Sequence, residues 1–183
     1  MSWLKNPEKE ITQGSIIDGI EWGMGDDPLS IVLSNPCDLE HGKASFLIVA
    51  ALLPANETIS MSKEFLSRIN DVESFELPRK RWTSLSNYLL DIIHNKVIIR
   101  YFFIDPSDVI DSPSLLVDFQ LVRSVPISRK KDLKYIAQLP DPFKEQMIMH
   151  FAAYTSRIAV NRVDNFRESQ LILELAKPYK SSV

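Results

Sequence analysis

The stretch Asn35-Pro36-Cys37-Asp38-Leu39-Glu40-His41 gathers a thiol, two carboxylates and an imidazole into one turn of chain. A cysteine within hydrogen-bond reach of a histidine becomes a nucleophile when its thiol pKa is lowered. A metal would need more than Cys37 and His41, and Asp38 or Glu40 would have to supply the further ligands. The simpler reading is a β-turn in which Asp38 caps the backbone and Cys37 packs as a small apolar group. Cys37, Asp38, Glu40 and His41 therefore stand as a candidate functional turn, and they identify no catalytic set. No metal and no cofactor is expected. Cys37 is the only cysteine, which excludes an internal disulfide framework and a multi-cysteine zinc site. His94 is expected to complement a helix C-terminus and His150 to sit at the edge of an apolar stripe.

Two basic clusters carry a second kind of chemistry. In Arg79-Lys80-Arg81-Trp82, after Pro78, the cations suit phosphates and the indole suits stacking on a base. The alternative is a solvated turn with Trp82 anchored in the core. Arg129-Lys130-Lys131, with Lys134 beyond it, is the other cluster. Net charge is −3 but unevenly spread. Residues 1–122 hold 10 basic and 18 acidic side chains, and residues 123–183 hold 11 and 6. Such asymmetry marks either an acidic-partner surface or a solvated helical one.

These residues need elements to hold them. Ser15-Ile16-Ile17, Ile31-Val32-Leu33 and the apolar run of residues 44–53 read as strands, the last of them buried on both faces. Residues 57–95 change to helical spacing, with Leu85, Leu89 and Ile92 on one face, and read as a helical insertion. Strands return at 96–104 and 115–121, with 122–127 as a continuation past a bend, since Pro126 argues against an unbroken central strand. From residue 128 the reading is helical to about 178. Ser128 caps a short helix over 129–137, and Asp141 caps a longer one with Pro142 as its first residue. A last helix is expected over 165–176. In the longer helix Phe143, Met147, Phe151, Tyr154 and Ile158 form an apolar stripe, which must cover the chain's own barrel or a partner.

The chain has 183 residues, 45% hydrophobic and 25% charged, an ordinary globular composition that excludes disorder as the main state. A single domain over 1–183 is expected. No apolar run reaches the ~18 residues of a membrane span, so no membrane partner is expected. The first residues lack the apolar core of a signal peptide. The expected address is the cytoplasm, which also suits an unpaired thiol.

Gly14-Ser15-Ile16-Ile17, Ile31-Val32-Leu33-Ser34-Asn35, Phe46-Leu47-Ile48-Val49-Ala50 and Leu116-Val117-Asp118-Phe119-Gln120-Leu121-Val122-Arg123-Ser124, followed by Arg129-Lys130-Lys131, come in a familiar order. In motif order the chain resembles the PemK/MazF group of bacterial toxins over 14–56 and 96–127. The resemblance implies an α+β fold: a small SH3-like β-barrel, here with a helical insertion and a helical C-terminal region. It also implies metal-independent endoribonuclease activity and dimers. That activity is attributed in the family to an Arg in the loop before the second strand and a Ser or Thr after the third. Here the loop is Gly23-Met24-Gly25-Asp26-Asp27-Pro28, without Arg, and Leu52-Leu53-Pro54-Ala55 carries no Ser or Thr. Transferring a phosphoryl centre needs a charge stabiliser, which Asp26 and Asp27 do not supply.

The expectation is thus a non-catalytic binding module or complex subunit, as part of a bacterial toxin-like or phage-defence system. The alternatives are an endoribonuclease toxin with relocated catalytic residues and a nucleic-acid-binding adaptor. Its expected partner is a protein or a second copy of the chain, with nucleic acid as the other possibility.

Overall fold

The computed structural model describes residues 3–8, 10–69, 76–96, 100–106 and 109–156. Strands β1 (Ser15–Asp18) and β2 (Ser30–Val32) are short β-branched runs. Helix α1 (Pro36–Glu40) follows, then β3 (Phe46–Pro54), α2 (Ala55–Ser60), α3 (Lys63–Ile69) and α4 (Arg79–Ile93). Next come β4 (Tyr101–Ile104), β5 (Leu115–Pro126), a 3-10 helix (Ile127–Asp132), β6 (Lys134–Gln138) and α5 (Phe143–Thr155). The fold is α+β. Among the described residues six strands form one antiparallel sheet, ordered β4-β5-β3-β2-β1-β6 and curled into a half-barrel.

The sheet is apolar on both faces because its central strands are apolar at successive positions. Ile16, Ile31, Ala50 and Leu52 enter one core with Phe102, Val117 and Phe119. Their chain neighbours Ile17, Val32, Leu47 and Val49 enter another with Val125 and Leu133. A third cluster, Ala55, Ile92, Phe103 and Leu116, seats α4 against β4 and the start of β5. The first core is covered by α5 and the N-terminal arm. Met147 is fully buried there, Phe143 stacks on Trp3 at 4.2 Å, and Phe151 and Tyr154 reach the Phe119 ring at 5.4 and 6.2 Å. The arm also bridges the edge of β6, Lys5 and Gln138 exchanging backbone hydrogen bonds at 3.0 Å.

Several expectations change. Residues 129–137 are not a helix but the 3-10 helix and β6. Leu133 and Ile136 fit a helical face locally, but β1 offers a free edge, and β6 takes it with Ser15 opposite Gln138. The buried Gln138 amide is then satisfied in full. It donates to the carbonyls of Gln13 and Leu139 and accepts from Ser15 Oγ and Tyr135 Oη. Residues 36–40 are a short helix rather than a β-turn. Asn35 is its N-cap, its side chain accepting the Cys37 N–H at 2.9 Å, and Pro36 fills the first position, where no N–H is needed. β5 runs unbroken from 115 to 126, and Pro126 is its last residue, where a missing donor costs the ladder little. The irregularity falls earlier, where Ala50 faces Val122 but Ala51 faces Asp118. β3 is buried on both faces only over residues 49–52, since Phe46 and Ile48 are exposed and Leu53 and Pro54 are half-buried. In α5 the N-cap position is Pro142, not Asp141, whose carboxylate pairs with Lys144 at 3.1 Å instead. The helix expected over 165–176 lies outside the described residues.

Candidate functional site

α1 places Cys37, Asp38 and Glu40 on an exposed turn, with His41 at its C-cap. The backbone explains the turn. His41 N–H donates to the Cys37 carbonyl, and the Asp38 carbonyl accepts from Lys43 and Ala44 at 2.9 and 3.0 Å. The side-chain cap is Asn35, so the Asp38 carboxylate is not the capping group. Cys37 is exposed rather than packed. Among the described residues no side-chain hydrogen bond joins Cys37 to His41, and no three His, Cys, Asp or Glu side chains converge as metal ligands.

What the fold does assemble is a cleft of about 560 Å³ between the N-terminal arm, α1 and the 3-10 helix. Its lining includes the carboxylates of Glu8, Glu10 and Glu40, the ammonium of Lys130, and the apolar Ile11 and Leu39. Two stretches singled out in the sequence thus meet, Glu40 from the functional turn and Lys130 from the second basic cluster. Glu8 is ion-paired with Lys5. Glu8 and Glu10 carry no motif. Only the arm's return across β6 brings them here, and nothing in their spacing signals it.

Arg129, next in sequence to Lys130, lines a different and smaller cleft of about 130 Å³ with Glu21, Arg123 and Ser124. Arg123 comes from β5, lies over the Trp22 ring at 5.4 Å and donates to the Glu21 carbonyl. This sets a guanidinium beside the loop that follows β1. Asp27 is committed inside that loop, its Oδ1 accepting the N–H groups of Trp22, Gly23 and Met24 at 2.7, 2.9 and 3.3 Å. Lys131 is exposed.

Arg79, Lys80 and Arg81 form the first turn of α4, with Trp82 behind them. Trp82 is 59% exposed, which overturns its expected place in the core. The buried positions of α4 are Leu85 and Ile92, and Trp82 stands on the same stripe three residues before Leu85, but it lies in the first turn and outside the cluster that seats α4 on the sheet. The first turn holds three cations and no acid. Cations oppose the positive end of a helix dipole, by about 0.3–1 kcal/mol each. The two basic clusters sit on separate elements, one in the first turn of α4 and one in the 3-10 helix after β5.

Phe143, Met147, Phe151 and Tyr154 turn onto the chain's own sheet, and Ile158 lies outside the described residues. The sequence reading missed one polar pair. Asp118, fully buried within β5, accepts from Arg100 Nε and Nη2 at 2.9 and 2.7 Å and from the Gln120 N–H at 2.9 Å. The hydrogen bond that Arg100 donates to Asp118 raises the Arg100 pKa, and the guanidinium also lies 4.7 Å over the Tyr101 ring. A fully buried carboxylate with both oxygens engaged by a guanidinium fork ties β5 to the residue that leads into β4. Comparison with family models and with curated proteins returned no match.

Proposed function

We propose that the chain is a non-catalytic binding module, a subunit of a cytoplasmic complex built on a barrel of the SH3-like PemK/MazF type. A toxin-like or phage-defence system is the setting this resemblance suggests. The observation that carries the binding reading is the 560 Å³ cleft, which gathers Glu40 and Lys130 from separate elements beside the apolar Ile11 and Leu39. Its volume lies in the range of ligand sites, roughly 300–1,000 Å³. The groups that could do covalent chemistry stand apart on an exposed turn, Cys37 without a side-chain hydrogen bond to His41. Nucleophilic catalysis needs such groups within hydrogen-bond reach of one another.

A second reading has one observation in its favour. Arg123 reaches the loop in which the family's arginine would be expected, and shares a cleft with Arg129 and Glu21. A relocated endoribonuclease site would use Arg123 to stabilise phosphoryl charge.

Incubating the purified chain with mixed single-stranded RNA, with and without divalent metal, separates the two. Intact RNA is expected. Site-specific cleavage that Arg123→Ala abolishes would overturn the non-catalytic reading. In the same samples, RNA retained at low salt and released at high salt would identify nucleic acid as the partner of the module, through Arg79, Lys80 and Arg81. Intact RNA with no retention leaves a protein partner.

A further inference from the structure

One face of the β3–β5 pair is half covered and half bare. On β3, Phe46, Ile48, Ala50 and Leu52 share a face, since side chains alternate along a strand. Ala50 and Leu52 lie in the core beneath α5. Phe46 and Ile48 are 54% and 39% exposed, and Val122, paired opposite Ala50, is 38% exposed. The reverse face of the same stretch is closed, with Leu47 and Val49 fully buried. The strip is thus a continuation of the main core face past the point where its cover stops. Apolar side chains gathered on one face mark a contact surface more often than scattered ones do.

The cover stops where α5 ends. Phe151 and Tyr154, in its last turn, rest on Phe119 of β5. Val122 is three residues further along that strand, past the irregularity where Ala50 faces Val122 and Ala51 faces Asp118. The chain leaves α5 at Ser156, two residues after the Tyr154 that rests on Phe119, with residues 157–183 still to follow. Even as helix, those residues would reach about 40 Å. They include Ile158, Val160, Phe166, Leu171, Ile172 and Leu175.

We propose that the strip of Phe46, Ile48 and Val122 is the docking site of the chain's own residues 157–183, which continue the cover that α5 begins. A second copy or a separate protein on the strip is the competing outcome.

Photo-crosslinking in the full-length chain tests this. The probe p-benzoylphenylalanine is placed at Ile48, in a second variant at the exposed Ser124 opposite it, and in a reference variant at Trp82 on α4. The Ser124 variant carries the test if the Ile48 variant does not fold. After irradiation, the monomer band is digested and mapped by mass spectrometry. The proposal expects both strip probes joined to peptides from 157–183, at five-fold or more the yield from the Trp82 probe. Crosslinks found in a dimer-sized band would give the strip to a second copy and overturn it. Yields no higher than from Trp82 would also overturn it.

Discussion

Met147 and Met149 lie two positions apart on α5 and meet opposite environments. Met147 is fully buried in the main core, and Met149 is 70% exposed. Met147→Ala removes Cγ, Sδ and Cε from that core. At about 0.8 kcal/mol per buried methylene-sized group the transfer loss is roughly 2.4 kcal/mol. The cavity left beneath α5 adds to it, and Met→Ala in cores spans about 2–5 kcal/mol, so about 3 kcal/mol is expected. For a chain of this size each kcal/mol moves Tm by roughly 2–4 °C, giving a fall of about 6–12 °C. Met149→Ala removes the same atoms from solvent and is expected within about 0.5 kcal/mol of the parent. Urea denaturation of parent and both variants, with mass followed by light scattering, measures the contrast. Equal, small losses for the two variants would refute the docking of α5 on the sheet. A normal melt for Met147→Ala with a changed oligomer mass would show that the helix covers a partner.

Three further outcomes follow from the polar groups. Arg100→Leu leaves the Asp118 carboxylate buried with only the Gln120 N–H; since Arg100 is itself partly exposed, the loss is expected at about 2–3 kcal/mol, and Asp118→Leu added to it should recover part, read by urea denaturation. Burial holds the His150 pKa below its ordinary value, so the unfolded chain takes the proton first as pH falls, and His150 costs stability progressively below about pH 6.5. His150→Phe is therefore expected to lose less Tm than the parent between pH 7.5 and pH 5, and an equal loss would contradict this. Arg79→Glu puts an acid where α4 wants one and is expected to raise stability by about 0.5 kcal/mol while weakening any RNA retention; a lower Tm would show the arginine to be structural.

The strands that read easily are those whose own residues decide them. Ile16-Ile17, Ile31-Val32 and the run from Leu47 to Leu53 are apolar and β-branched enough to need two buried faces wherever they lie. α4 was legible because Leu85, Leu89 and Ile92 repeat at helical spacing. β6 was not, because Lys134-Tyr135-Ile136-Ala137-Gln138 alternates poorly, and its stability comes from β1 and from the Gln138 network. The cap at α1 was present in Asn35-Pro36, but five helical residues leave no periodicity to notice. The cleft was legible only in halves: Glu40 and Lys130 stood out by charge and type, while Glu8 and Glu10 became relevant only through the path of the arm. Trp82 sits on the stripe of Leu85, Leu89 and Ile92, where an aromatic usually packs, yet it is exposed because the cluster that holds α4 on the sheet does not reach its first turn.

The pairing of β1 with β6 has a consequence during synthesis. Ser15 and Gln138 hydrogen-bond across 123 positions of sequence. β1 gains its β2 neighbour as soon as residues 30–32 leave the ribosome, but its other edge waits for almost the whole described chain. Chain ends joined this late delay the final step of folding, because loop closure must precede the contacts that reward it. Until then the nascent sheet carries an open edge at β1 and an uncovered core face, and the arm residue Leu4 has no core to enter. A stalled or truncated product ending before residue 134 would present both at once, and such unpaired edges favour intermolecular pairing. Residues 134–155 thus act as the fastener of the arm and of β1.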